Sequence, residues 1–95
     1  MKTVNILIVG DEPMLNEFLA FLLGEAGHQV TTARSGQEAL EIIKAAKVNH
    51  HRFNLIMTDK DLNDRMDGMG FMRRVREFCY EPVAWMVTGY METEL

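Results

Sequence analysis

Three apolar segments of the chain each end on residues that can bind a cation or an anion. These residues are Asp11 and Glu12, then Asp59 and Asp61, and finally Thr88 and Gly89. Carboxylate oxygens are the ligands that hard divalent cations prefer, and a hydroxyl such as that of Thr88 can hydrogen-bond an anionic group. These residue types indicate a binding site if the fold brings the ends of the three segments together.

The segments that precede these residues have the pattern of buried parallel strands. Residues 4–9, 55–58 and 83–88 are short, nearly continuous runs of β-branched and aliphatic side chains, a habit of strands that are covered on both faces. Residues 28–33 form a weaker, half-polar run, which we expect at a sheet edge. Amphipathic stretches lie between the strands and predict helices.

End signals and apolar stripes define three helices. Pro13 stands in the first turn of the first helix and Gly27 follows its end, while Ser35 caps the second helix with Glu38 as its capping-box partner. The stripes comprise Leu15, Phe18, Leu19, Leu22 and Leu23 in the first helix, Ala39, Leu40, Ile43 and Ala46 in the second, and Phe71, Met72, Val75, Phe78 and Cys79 in the third.

The resulting order, β-α-β-α-β-α-β, predicts an α/β fold with a doubly wound parallel sheet. Ligands of such sheets bind outside the carboxyl ends of the strands, at the switch point of the topology. Asp11 and Asp59 should therefore converge on one cleft, where two like charges are best tolerated with a cation between them. We expect that cation to be Mg²⁺.

Two other metal-binding patterns are weaker. The segment from Asp59 starts like a calcium loop, but Asp64 stands where the sharp turn needs glycine and Gly70 where a bidentate glutamate is needed. His50 and His51 are adjacent, and we expect both in a solvated loop.

Composition narrows the function classes. The 95 residues are 47% hydrophobic with a net charge of -4, which suits one small domain and disfavours a sequence-independent grip on nucleic acid. No apolar run approaches the roughly 20 residues that span a bilayer, so no membrane partner is expected. Cys79 is the single cysteine, and the expected setting is the reducing cytoplasm.

The chain resembles the receiver domain of two-component response regulators. The resemblance rests on the stretches ILIVGDEP, GHQVTTARSGQEALEII, LIMTD, MDG and PVAWMVTGY, which occur in the family's order over nearly the whole chain. It implies a flavodoxin-like fold. The family has a fifth strand and a fifth helix, which we do not expect within these 95 residues, and the alternative is that these residues are part of a longer regulator.

The resemblance also implies a role for each candidate residue. Asp59 is the implied phosphoacceptor, which takes its phosphoryl group from a histidine kinase. Asp11, Asp59 and the main-chain carbonyl of Asp61 are the implied Mg²⁺ ligands. Thr88 is the implied switch hydroxyl, and the N–H of Gly89 is implied to bind a phosphoryl oxygen.

This sequence departs from the family in three places. Gly10 stands where the family usually has an acid that holds Mg²⁺ through water, and Glu12 is a possible accessory acid. The loop after Asp59 is one residue longer than usual. The sequence stops at Leu95, before the family's Lys-Pro pair, and no lysine follows Lys60.

Three functions therefore compete at the level of the sequence. The first is a phosphorelay receiver that accepts phosphate on Asp59 and signals to an unknown downstream protein. The second is a phosphorylation-incompetent receiver that binds a partner or forms a homodimer through an exposed fourth strand. The third is a phosphatase or other small-molecule hydrolase on the same fold, although no separate general acid is evident.

Overall fold

The computed structural model describes residues 3–59, 62, 67–77 and, for the backbone alone, 84–88. Its elements are β1 (Asn5–Val9), α1 (Pro13–Glu25), β2 (Gln29–Ala33), α2 (Gly36–Val48), β3 (Leu55–Asp59), α3 (Gly68–Glu77) and β4 (Ala84–Thr88). All strand pairs are parallel and the sheet order is β2-β1-β3-β4. The predicted α/β fold, the seven elements and the edge position of β2 are confirmed.

The helices lie on opposite faces of this sheet. The connection from β1 to β2 runs in one direction across the sheet, and the next two connections run in the other. Right-handed crossovers therefore place α1 on one face and α2 with α3 on the other. Among the described residues, the main core lies on the second face, where Leu7 and Ile56 of the sheet pack with Ile43 and Phe71 of the helices.

Helix α2 follows its sequence prediction closely. All four residues of its apolar stripe are buried, and the Ser35 Oγ accepts a hydrogen bond of 3.0 Å from the N–H of Glu38. The return bond differs from an ordinary capping box, because the Glu38 carboxylate accepts at 2.8 Å from the N–H of Arg34 rather than from that of Ser35. The cap therefore also fixes the chain entering the helix.

Helix α1 differs from its sequence prediction in burial. Its boundaries are as expected, and Gly27, with φ of 96°, turns the chain after the helix. However, Phe18 is 57% exposed and Leu22 is 46% exposed. The reason is that α1 is the one described helix on its face of the sheet, so no described neighbour covers its outer side. None of the three described helices is both long and apolar enough to span a membrane.

Candidate functional site

The carboxyl edge of the sheet brings three of the predicted strand ends side by side. Asp59 is the last residue of β3 and pairs in register with Thr88 of β4. On the other side, Thr58 pairs with Val9, so Gly10 and Asp11 leave β1 next to Asp59. Because paired strands lie about 4.8 Å apart, the backbones of these residues are neighbours, while the convergence of the Asp11 and Asp59 carboxylates stays a prediction.

Asp59 borders a shallow groove between the sheet and α1. Alternation along β3 places Asp59 on the same face as Met57, whereas Thr58 is buried on the opposite side. Gly10, Asn16 and Asp59 are among the residues that line this groove. The half-buried carboxylate of Asp59 therefore has both an open side and a firmly packed strand beneath it.

The two acids after β1 occupy different environments. Asp11 is half-buried at the bend between β1 and α1, while Glu12 is exposed at the N-cap of α1, where its side chain makes no capping hydrogen bond. Both precede a helix N-terminus, which favours negative charge. Asp11 is thus the better placed of the two beside the end of β3, and the accessory role of Glu12 stays a prediction.

Gly10 stands where the family usually has an acid, and the side chain of Asn16 from α1 occupies the space beside it. A Cβ atom built on Gly10 would lie 2.9 Å from the Oδ1 of Asn16. The side-chain amide of Asn16 donates from Nδ2 to the carbonyl of Gly10 at 2.9 Å and to the carbonyl of Ala33 at 3.4 Å. Asn16 therefore ties α1 to the ends of β1 and β2, and its Oδ1 faces the space above Gly10.

Sequence reasoning missed Asn16. The side chain is 5% exposed and is the single buried residue that α1 contributes among the described residues. The available signal was one short polar residue within the otherwise apolar run of PMLNEFLAFLL. A buried asparagine is expected to satisfy its hydrogen-bonding groups, yet within the described part of the chain no donor to its Oδ1 is found.

The described residues fit a magnesium ion, with a changed set of donors. Asp11 and Asp59 supply carboxylates at adjoining strand ends, and the buried Oδ1 of Asn16 adds a neutral oxygen above Gly10. Hard cations accept both kinds of oxygen. No cluster of three or more His, Cys, Asp or Glu side chains occurs within the described residues. Asp61, Gly89 and the side chain of Thr88 lie outside them.

The other predicted features have simple outcomes. His50 and His51 are both exposed in the loop after α2, as expected, and the ring of His51 contacts Phe53 edge-on with centroids 5.2 Å apart. Phe71 and Val75 of the third stripe are buried, while Phe78 and Cys79 lie outside the described residues.

The fold and the arrangement of its strand ends define a doubly wound α/β domain of the flavodoxin-like class. The sequence model of the response regulator receiver domain matches residues 6–95. The chain therefore belongs to the response regulator receiver family, a family of signalling domains, and the resemblance seen in the sequence is confirmed.

Individual proteins agree with this assignment. The chain is 28% identical over 93 residues to the two-component response regulator ARR22 of Arabidopsis thaliana, and the match covers 98% of this chain and 63% of that protein. It is 33% identical over 76 residues to the transcriptional regulatory protein GlrR of Escherichia coli, covering 80% of this chain and 16% of the relative. The chain thus spans less than two thirds of either relative.

Solved structures show the same fold. A response regulator receiver domain protein from Clostridium thermocellum superposes with a TM-score of 0.76 at 26% identity, covering 94% of this chain and 68% of that one. The receiver domain of Francisella response regulator 1452 gives a TM-score of 0.77 at 18% identity, with coverage of 97% and 70%.

Proposed function

We propose that the chain is a phosphorelay receiver in which Asp59 accepts a phosphoryl group from the phosphohistidine of a histidine kinase. Asp11, Asp59 and the main-chain carbonyl of Asp61 would hold Mg²⁺. The Thr88 hydroxyl and the N–H of Gly89 would contact the phosphoryl oxygens. The receiver would signal to a downstream protein in the cytoplasm, where a lone cysteine such as Cys79 stays reduced.

The position of Asp59 is the observation that carries this proposal. It ends a central strand of the described sheet, with the β1 end on one side and Thr88 in register on the other. Its carboxylate borders an open groove, while Thr58 and Ile56 anchor the strand beneath it at 1% and 0% exposure. A nucleophile needs this combination of access and fixed position.

The chemistry needs little from the protein beyond placement and charge compensation. A carboxylate oxygen of Asp59 forms the new bond to phosphorus, and the bond between phosphorus and the imidazole nitrogen of the donor breaks. Bound Mg²⁺ would neutralise the developing charge on the phosphoryl oxygens. The residues of this chain would orient the nucleophile, and the Thr88 hydroxyl would donate a hydrogen bond to a phosphoryl oxygen.

Beryllofluoride, which imitates a phosphoryl group on a carboxylate, tests the proposal directly. Added with Mg²⁺, it should shift the backbone amide signals of Asp59, Thr88 and Gly10, and Asp59→Asn should abolish the shifts. Asp67→Asn is the matched control, because Asp67 is an exposed acid that accepts a hydrogen bond of 2.8 Å from the N–H of Gly70, and an asparagine keeps that acceptor. Shifts that persist in Asp59→Asn, or no shifts at any Mg²⁺ concentration, would contradict the proposal.

The edge strand and α1 support a second candidate, a receiver that acts as a binding or dimerisation module without phosphorylation. Within the described sheet β4 pairs with β3 alone, and unpaired strand edges invite pairing with another chain. The outer side of α1 adds exposed apolar surface, with Met14 at 84% and Phe21 at 63% exposure. Because Gly10 replaces an acid, we expect weaker metal binding. Weaker metal binding favours the candidate that acts without phosphorylation.

Sedimentation tests the homodimer. A phosphorylation-independent homodimer should form at high protein concentration in the absence of Mg²⁺ and phosphodonor, and a charged residue substituted into β4 should dissociate it. A monomer at all concentrations would exclude the homodimer.

A further inference from the structure

The space above Gly10 contains a buried oxygen atom that has no role in the proposed function. Two observations meet there. A Cβ on Gly10 would approach the Oδ1 of Asn16 to 2.9 Å, so an oxygen atom occupies the direction in which a side chain at position 10 would leave the backbone. That oxygen belongs to a side chain that is 95% buried, since Asn16 is only 5% exposed.

The orientation of the Asn16 amide is fixed by its donors. Nδ2 is committed to the carbonyls of Gly10 and Ala33, at 2.9 and 3.4 Å, so rotation of the amide would bring oxygen against oxygen. Oδ1 therefore points away from the two carbonyls, and within the described residues it accepts no hydrogen bond. A buried acceptor left without a partner is costly, which indicates that a ligand or its water completes the site.

The neighbourhood of this oxygen identifies the chemical class of that ligand. Gly10, Asn16 and Asp59 border the same groove, and Asp11 is next in the chain. An amide oxygen that shares a groove with one carboxylate, with a second carboxylate on the residue after Gly10, is a set of acceptors for a hydrated divalent cation. The Oδ1 of Asn16 lies near the position that a Cβ atom of residue 10 would take. A carboxylate on a side chain at position 10 would extend farther from the backbone. We therefore expect the Oδ1 to contact the cation through a metal-bound water rather than directly.

We propose that Asn16, through its Oδ1, accepts a hydrogen bond from water bound to the Mg²⁺ of the receiver site and so replaces the acid absent at Gly10. This inference rests on the proposed function, because it assumes the cation at Asp11 and Asp59. Asn16 is a positioning residue for that cation. It supplies an acceptor without a negative charge, so the site binds Mg²⁺ more weakly than one with a third carboxylate.

The test is an Mg²⁺ titration followed by the backbone amide signals of Gly10 and Asp11, with no phosphodonor present. Asn16→Ala should weaken Mg²⁺ binding about tenfold, the lower end of the effect of removing an outer-shell metal partner. Asn16→Asp keeps an oxygen at the same reach and adds a charge, so it should bind Mg²⁺ about tenfold more tightly than the original chain. Met14→Asp adds the same charge to an exposed site on the first turn of α1 and should change the affinity less than about twofold, because solvent screens it.

A purely structural asparagine gives a different pattern. Asn16→Asp would then lose both hydrogen bonds donated by Nδ2 and would bind Mg²⁺ no more tightly than Met14→Asp does. Asn16→Ala would bind Mg²⁺ like the original chain. Either result overturns the inference. If Asn16→Ala does not fold, the comparison of Asn16→Asp with Met14→Asp decides. Binding that requires Asp59 but not Asn16 overturns this inference alone, whereas a chain that binds no Mg²⁺ overturns the proposed metal site as well.

Discussion

Adding one methyl group at Gly10 should reveal how tightly Asn16 closes over the end of β1. Gly10 is buried, and the Cβ of Gly10→Ala would meet the Asn16 Oδ1 at 2.9 Å and its Cγ at 3.9 Å. The first of these distances is too short, so the Asn16 amide must move. Because its Nδ2 bridges the carbonyls of Gly10 and Ala33, that movement breaks or lengthens both hydrogen bonds.

The free-energy cost follows from those contacts. Crowding a packed site costs about 1–3 kcal/mol, and each hydrogen bond that is lost costs about 1 kcal/mol. Alanine restricts the unfolded chain and returns about 0.5 kcal/mol, since Gly10 does not adopt the left-handed conformation that Gly27 does. With about 1.5 kcal/mol for crowding and about 1 kcal/mol in total for the two weakened hydrogen bonds, less the roughly 0.5 kcal/mol returned, we expect Gly10→Ala to lower the free energy of unfolding by about 2 kcal/mol.

The sign should reverse when Asn16 is first replaced by alanine. In that background the new methyl group meets no Asn16 amide, so Gly10→Ala should be neutral or stabilising by about 0.5 kcal/mol. The coupling free energy between the two substitutions is then about 2.5 kcal/mol, which is within the range for residues in contact. Urea denaturation of the four chains measures the coupling. Gly24→Ala is the control, because a Cβ at position 24 meets no atom within 4 Å. This substitution should stabilise α1 by about 1 kcal/mol. Additive effects of the Gly10 and Asn16 changes would refute the contact.

Three further outcomes test the rest of the fold by urea denaturation. Phe71→Ala should cost about 3–5 kcal/mol because Phe71 is fully buried, whereas Phe18→Ala should cost no more than about 1 kcal/mol because Phe18 is 57% exposed; equal costs would contradict the one-sided core. Ser35→Ala should cost about 1 kcal/mol through loss of the α2 cap, and no change would argue against that bond. Gly27→Ala should destabilise by more than about 1 kcal/mol because φ is 96° there, and a stabilised variant would contradict this turn.

The sequence predicted the elements because each has local signals. The α2 stripe of Ala39, Leu40, Ile43 and Ala46 is buried in full, since a face with that period has sheet and α3 to pack against. The same periodicity in α1 predicted a core stripe that the described structure leaves partly exposed at Phe18. Periodicity identifies a face of a helix, but only the tertiary arrangement determines what covers it.

The positions of the strand-end acids could be predicted from the sequence, whereas the contact between Asn16 and Gly10 could not. Strand ends in a parallel sheet share one edge, so Asp11 and Asp59 could be placed together from the order of elements alone. The role of Asn16 depends on the distance between an α1 side chain and the backbone of Gly10. No spacing in the sequence encodes that distance, because it is set by how α1 crosses the ends of β1 and β2.

The most direct measurement of the central claim is the intact mass of the chain after incubation with Mg²⁺ and a small phosphodonor such as acetyl phosphate. We predict a gain equal to one phosphoryl group in the original chain and in Asp67→Asn, and no gain in Asp59→Asn or when Mg²⁺ is chelated. An original chain that gains no mass, or an Asp59→Asn variant that still gains it, would contradict the assignment of Asp59 as the phosphoacceptor.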